Sequence, residues 1–170
     1  MANWGKCDYQ QLKDLQEKIN KLQKAEDAFC EECAKELVSR LLAKVIKRTP
    51  VGKYGKEKDK KTGKEQTTKM GGTLRRGWTA ETEEDAVNKK NSNATEWAKS
   101  LKISKNGGMY QVEIINPVYY ASYVEYGHRT PTHEGWVKGR FMLTISEMEL
   151  ETQAPQILEK KLQKFLGGML

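Results

Sequence analysis

The residues best equipped for chemistry are Cys30 and Cys33, His128 and His133, Glu125, and the glycine pair ahead of Thr73. Cys30-Glu-Glu-Cys33 has the spacing of a dithiol redox pair or of half a zinc site. A redox pair gains reactivity at a helix N-terminus, where the dipole stabilises the thiolate. Here both cysteines fall inside a helical pattern beside Glu31 and Glu32, whose charges oppose thiolate formation. A zinc site needs two further ligands, and Cys7, His128 and His133 are the remaining Cys and His residues. Buried thiols acting as small hydrophobes are the favoured reading, with a metal or redox role the alternative. Three cysteines, an odd number, do not suit a disulfide framework.

The other candidates are weaker. His128 and His133 are five apart in a polar loop, which suits surface residues better than a ligand pair. Gly71-Gly72-Thr73 precedes a strand-like run, so it does not read as a phosphate loop. Glu125 is a lone acid in an aromatic run, and beside Arg129 or Arg140 it reads as an ion pair. No catalytic constellation forms, and a protein without enzymatic activity, cofactor or metal is expected.

The elements that must carry these residues follow from periodicity. Leu12, Leu15, Ile19, Leu22, Phe29, Cys33, Leu37, Leu41 and Val45 recur at three-, four- and seven-residue steps. They predict one amphipathic helix from about Asp8 to Lys47, started by Asp8 with Gln11 and open to a break near Ala25. Forty helical residues span roughly 60 Å, so part of the helix should project or pack on a neighbour. Thr49-Pro50 ends it. Leu74 to Thr82 alternates and predicts a strand. Residues 83–98 predict a polar loop with a helical turn at Ala94–Ala98. Asn106-Gly107-Gly108 between Leu101–Lys105 and Met109–Asn116 predicts a hairpin. Val118–Tyr126 predicts a short helix ended by Gly127. Phe141 opens another helix, and Pro155 opens a third segment. The fold class expected is α+β: a long N-terminal amphipathic helix on a small antiparallel sheet, with a short helix and C-terminal helices, in one domain over 1–170. The expected core is Leu37, Leu41, Val45, Trp78, Ile103, Val112, Ile114, Tyr120, Val124, Phe141 and Ile145.

The net charge is +7 and its location is uneven. Lys53, Lys56, Lys58, Lys60, Lys61, Lys64, Lys69, Arg75 and Arg76 face only Glu57, Asp59 and Glu65 over residues 51–76. The stretch from 51 to 72 also holds five glycines and predicts a mobile basic loop. Nothing approaches the ~20 apolar residues of a membrane span, and the N-terminus lacks the apolar core of a signal peptide, so a cytoplasmic, reduced setting is expected. Tyr119, Tyr120, Tyr123 and Tyr126 fall within eight residues, of a total of seven tyrosines. One short helix cannot bury four tyrosines inward, so an interface at Tyr119, Tyr123, Tyr126, Glu125, Arg129 and Trp136 is expected beside a core role.

Asn116-Pro117, then Tyr120-Ala121-x-Tyr123-Val124-Glu125-Tyr126-Gly127, then Gly139-Arg140-Phe141-Met142-Leu143, resembles the tail-completion, or head–tail joining, family of long-tailed bacteriophages. Thr49-Pro50-Val51 with Gly72-Thr73-Leu74-Arg75-Arg76-Gly77-Trp78 resembles a second segment of that family, interrupted here by an insertion of about twenty residues. The resemblance covers roughly residues 10–165. It implies a structural virion protein of the siphophage neck and tail top, built in the host cytoplasm. It implies a ring, hexameric in the virion and monomeric in solution. Its partners would be a tail terminator or tail tube protein and head-completion, stopper or connector proteins, with non-specific contact to channel DNA and none to membrane. The rival class is a small basic nucleic-acid-binding module, distinguished by steeply salt-dependent binding to random duplex.

Overall fold

A helix of 39 residues, α1 (Gln10–Arg48), runs unbroken past Ala25 and sets the length of the molecule. The computed structural model describes residues 9–53, 57–58, 65–66, 71–88 and 92–169. The expected Asp8 cap lies outside these residues, and Tyr9, which precedes α1, makes no side-chain cap. After Thr49 come a two-residue ribbon in the insertion, β1 (Glu57–Lys58) and β2 (Glu65–Gln66), then α2 (Thr73–Gly77), α3 (Glu83–Asn88) and α4 (Ala94–Ser100). The hairpin β3 (Ser104–Asn106) and β4 (Met109–Gln111) follows, then α5 (Ala121–Tyr126), β5 (Gly127–Arg129), β6 (Trp136–Lys138) and α6 (Met142–Met169).

The α+β class holds, but among the described residues the strands form three separate antiparallel ribbons rather than one sheet. The hairpin turns on Gly107 and Gly108, both at positive φ, as a two-residue primed turn requires. Its second strand stops at Gln111, although the apolar run continues to Ile115. Val112 and Ile114 still pack on the core.

The core is mainly helical. α6 lies antiparallel on α1, fastened by Arg48 to Ser146 (2.7 Å), by Lys44 and Arg48 to Glu149 (3.0 and 2.6 Å), and by Phe29 stacked on Phe165 at 4.3 Å. Lys44, with Arg48 beside it, holds the Glu149 carboxyl below the usual range. Leu42, Val45, Val118 and Met142 are fully buried, with Leu41, Leu74 and Trp78 around them. Three expectations change here. Leu37, Ile103 and Phe141 are half-buried, and Ile145 is exposed. Val38 and Leu42 point inward instead, because α4 covers a second flank of α1 and widens the buried face. Pro155 lies within a single α6 rather than opening a new segment. Its ring is on the exposed side, where water can satisfy the carbonyl it leaves unpaired, and ties to α1 hold the helix on both sides of it.

The expected strand at Leu74–Thr82 is also corrected: it is α2 followed by a turn. Leu74 and Arg76 to Ala80 are all buried, so the segment has no polar face for a period to mark. The polar loop at 83–98 contains two helices. Thr82 and Asp85 form a reciprocal cap, Thr82 N donating to Asp85 Oδ2 and Asp85 N to Thr82 Oγ1. Asn93 Oδ1 accepts from the amides of Thr95 and Glu96 to start α4.

Candidate functional site

The two segments that carry the family resemblance meet in space. Asn116 donates from Nδ2 to the Leu74 carbonyl at 2.9 Å and accepts from the Val118 amide at 3.2 Å. Gly77 makes this approach feasible, since a Cβ there would lie 2.2 Å from Asn116 Oδ1. Val118 then enters the core and delivers the chain to α5.

From α5 onward the tyrosines divide. Tyr120 packs on the core, while Tyr119, Tyr123 and Tyr126 face solvent, Tyr119 being 75% exposed. Gly127 at φ 90° ends the helix and starts β5 without a gap. Val137 O would sit 2.3 Å from a Cβ at this position, so the ribbon closes only on glycine. In that ribbon Arg129 lies opposite Trp136 and His128 opposite Val137. Trp136 is 64% exposed with its indole edge over Gly127. Exposed on and just before α5 are thus three tyrosines, and on the adjoining ribbon Trp136, Val137 and Arg129.

Two expected members of the site do different work. Glu125 faces inward, 6% exposed, and pairs with neither Arg129 nor Arg140. Its carboxylate accepts from the amides of Leu143 and Thr144, both at 3.0 Å, and from Thr144 Oγ1 at 2.9 Å. It therefore caps the N-terminus of α6 from a distant part of the sequence, where a negative charge also complements the helix dipole. The amides of Arg140 and Phe141 donate to the carbonyls of Val124 and Glu125, closing the same junction. His128 is half-buried rather than a surface residue, with its ring edge-on to Tyr123 at 5.9 Å; His133 is exposed.

The basic set also divides. Arg75 donates twice to the Thr49 carbonyl, completing the C-terminus of α1. Arg76 is buried and donates to the carbonyls of Ala86 (2.8 Å) and Gly71 (2.9 Å). Its guanidinium fills the space at Gly72, so the glycine pair precedes a five-residue helix closed by its own arginine. Neither arginine belongs to a basic loop. Lys53 is exposed and Lys58 lies in β1. Lys56, Lys60, Lys61, Lys64 and Lys69 lie outside the described residues, as does most of the loop expected to be mobile.

Cys33 is buried, Cys30 is half-buried, and desolvation pushes the Cys33 thiol up. Among the described residues no three His, Cys, Asp or Glu side chains come together as a metal site. No helix among them is long and apolar enough to cross a membrane. The arrangement is one of exposed amphipathic rings on and beside a short helix, with a buried carboxylate beneath it.

No curated protein and no solved structure matches the chain. A family model described as "Bacteriophage HK97-gp10, putative tail-component" matches residues 13–127. That span runs from α1 through the Thr49–Trp78 segment to Gly127 and leaves Gly139–Leu143 outside it; with 13–127 matched, the chain belongs to the HK97-gp10-like family of bacteriophage tail components.

Proposed function

We propose that this tail component is a completion subunit, assembled as a ring at the top of the tail and joining it to the neck of the filled head. The observation that carries the reading is the solvent-facing aromatic surface of Tyr119, Tyr123, Tyr126 and Trp136 on a braced helix and ribbon. Tyrosine, tryptophan and arginine dominate the energetics of protein contacts, and here Arg129 stands opposite Trp136. The ring is a hexamer in the virion, following the sixfold symmetry of phage tails. One face meets a tail terminator or tail tube protein, the other the head-completion or connector proteins. Its work is recognition, without catalysis, metal or cofactor, and assembly takes place in the host cytoplasm.

The test is complementation with a Tyr123→Ala/Trp136→Ala chain. Two hot-spot side chains contribute at least about 2 kcal/mol each to a contact, so completed particles should fall by more than about tenfold. The melting temperature of the free protein should fall only slightly, since Tyr123 and Trp136 are 55% and 64% exposed. Normal particle yield would remove the surface from the interface.

The insertion from 51 to 72 is proposed to gain order on assembly, its lysines meeting an acidic ring surface or the DNA backbone. With Arg75 and Arg76 committed to the core, that contact falls to the lysines alone. Hydrogen exchange should show near-random-coil rates across residues 53–70 in the free protein, where a two-residue ribbon has little stability of its own, and protection at the buried α1 positions Leu41, Leu42 and Val45. Strong protection across 53–70 before assembly would make the insertion part of the domain.

A further inference from the structure

The α1–α6 pairing has a fixed antiparallel register. Nineteen residues separate Phe29 from Arg48 on α1, and nineteen separate Ser146 from Phe165 on α6, and these are the residues that meet. Lys161 beside Glu32 keeps the same register. Continued four residues further, it sets the last residue of α6, Met169, opposite Ala25. The seam of α1 does not stop there. Leu12, Leu15, Ile19 and Leu22 extend it at steps of three, four and three. Leu12, Leu15 and Ile19 are 61%, 51% and 47% exposed. Fifteen residues, Gln10 to Lys24, thus overhang α6, a length of roughly 22 Å.

We propose that this overhang pairs antiparallel with the overhang of a second copy of the chain, so that the free protein is a two-fold dimer. Three features select that occupant. First, the spacing is self-complementary under a two-fold axis. With Gln10 of one copy opposite Lys24 of the other, Leu12 of each copy meets Leu22 of the other and Leu15 meets Ile19, so every layer is apolar. Second, the second copy's α1 begins where α6 ends and runs in the same direction along the seam. The C-terminal end of α6 then faces the N-terminal end of that helix, a favourable head-to-tail placement of the two dipoles. Third, the positions flanking the stripe are largely uncharged, being Gln11, Gln16 and Gln23, with Lys18 the exception.

An isologous contact closes on itself and does not propagate a ring. It holds free subunits as pairs, in place of the monomer that the family resemblance implies, and covers the seam before assembly. The buried surface of two heptads is small, so the pairing is micromolar or weaker. The inference rests on helix register and stands apart from the role in the tail, so a complementation result does not bear on it.

Sedimentation equilibrium of the purified full chain from low micromolar to near-millimolar concentration tests it. The weight-average mass should rise from one chain towards two. Leu15→Glu and Ile19→Glu should each hold it at one chain, with the melting temperature of the domain unchanged. A mass that stays at one chain throughout, or a dimer that both variants leave intact, would overturn the pairing. For the register, Leu15→Cys and Ile19→Cys chains are made with Cys7→Ser, Cys30→Ser and Cys33→Ala. Oxidation of the mixture should give mixed disulfides in excess of either self-linked product. Predominant self-linking of each chain alone would mean parallel pairing and overturn the antiparallel arrangement.

Discussion

Trp78→Ala is expected to destabilise the domain by about 3–5 kcal/mol, against a total stability of about 5–15 kcal/mol for a domain of ordinary size. The indole is 4% exposed and belongs to the core cluster that holds Val45, Leu74 and Val118. Its Nε1 donates to Thr49 Oγ1 at 2.8 Å, and that hydroxyl in turn donates to the Val45 carbonyl at 2.7 Å. The substitution therefore leaves a large cavity and removes a donor from a buried chain of hydrogen bonds. Trp78→Phe keeps most of the volume and loses the donor, and should cost less. The informative control is Ile145→Ala. Periodicity placed Ile145 in the core, but it is 39% exposed, and its loss should cost about 1 kcal/mol. Urea unfolding of the three variants measures the differences. Equal losses for Trp78→Ala and Ile145→Ala would contradict the packing described.

Glu125→Ala is expected to cost about 3 kcal/mol, since it strips three charge-assisted hydrogen bonds from the start of α6. Two amides would be left partly buried without partners, and the tie between α5 and α6 would loosen. Glu125→Gln preserves the shape and one acceptor oxygen, so about half of the loss should be recovered. Hydrogen exchange at Leu143 and Thr144 gives a local readout. Both amides should exchange faster in Glu125→Ala, while those of Leu41 and Leu42 change only with global stability. An exposed ion pair with Arg129 or Arg140 would instead contribute little and fade with added salt. A loss below about 0.5 kcal/mol, erased by salt, would favour that pair over the cap.

Local patterns determined a good part of this protein from sequence alone. The α1 seam is a long apolar period, and helix geometry leaves such a period few other uses. The Asn106-Gly107-Gly108 hairpin follows from two consecutive positive φ angles that glycine adopts without strain. The excess of tyrosines over what α5 can bury made Tyr119, Tyr123 and Tyr126 legible as a surface, because residue spacing on a short helix is fixed. The Thr82–Asp85 cap is also written in the sequence, as a Thr followed three residues later by an acid within a polar stretch.

Tertiary structure decided the rest, wherever the partner of a side chain lies far away in sequence. Arg75 and Arg76 look like members of a lysine-rich run, but the carbonyls of Thr49 and Ala86 draw them inward. Glu125 reads as a surface acid until α6, eighteen residues on, presents its unpaired amides. Leu74 to Ala80 has a misleading alternation because nearly all of it is enclosed, and burial on every side erases the polar face that a period needs. Pro155 remains in a helix because α1 holds α6 on both sides of it. In each case the sequence supplied a group with an unmet need, and only the packing of distant segments determined what would meet it.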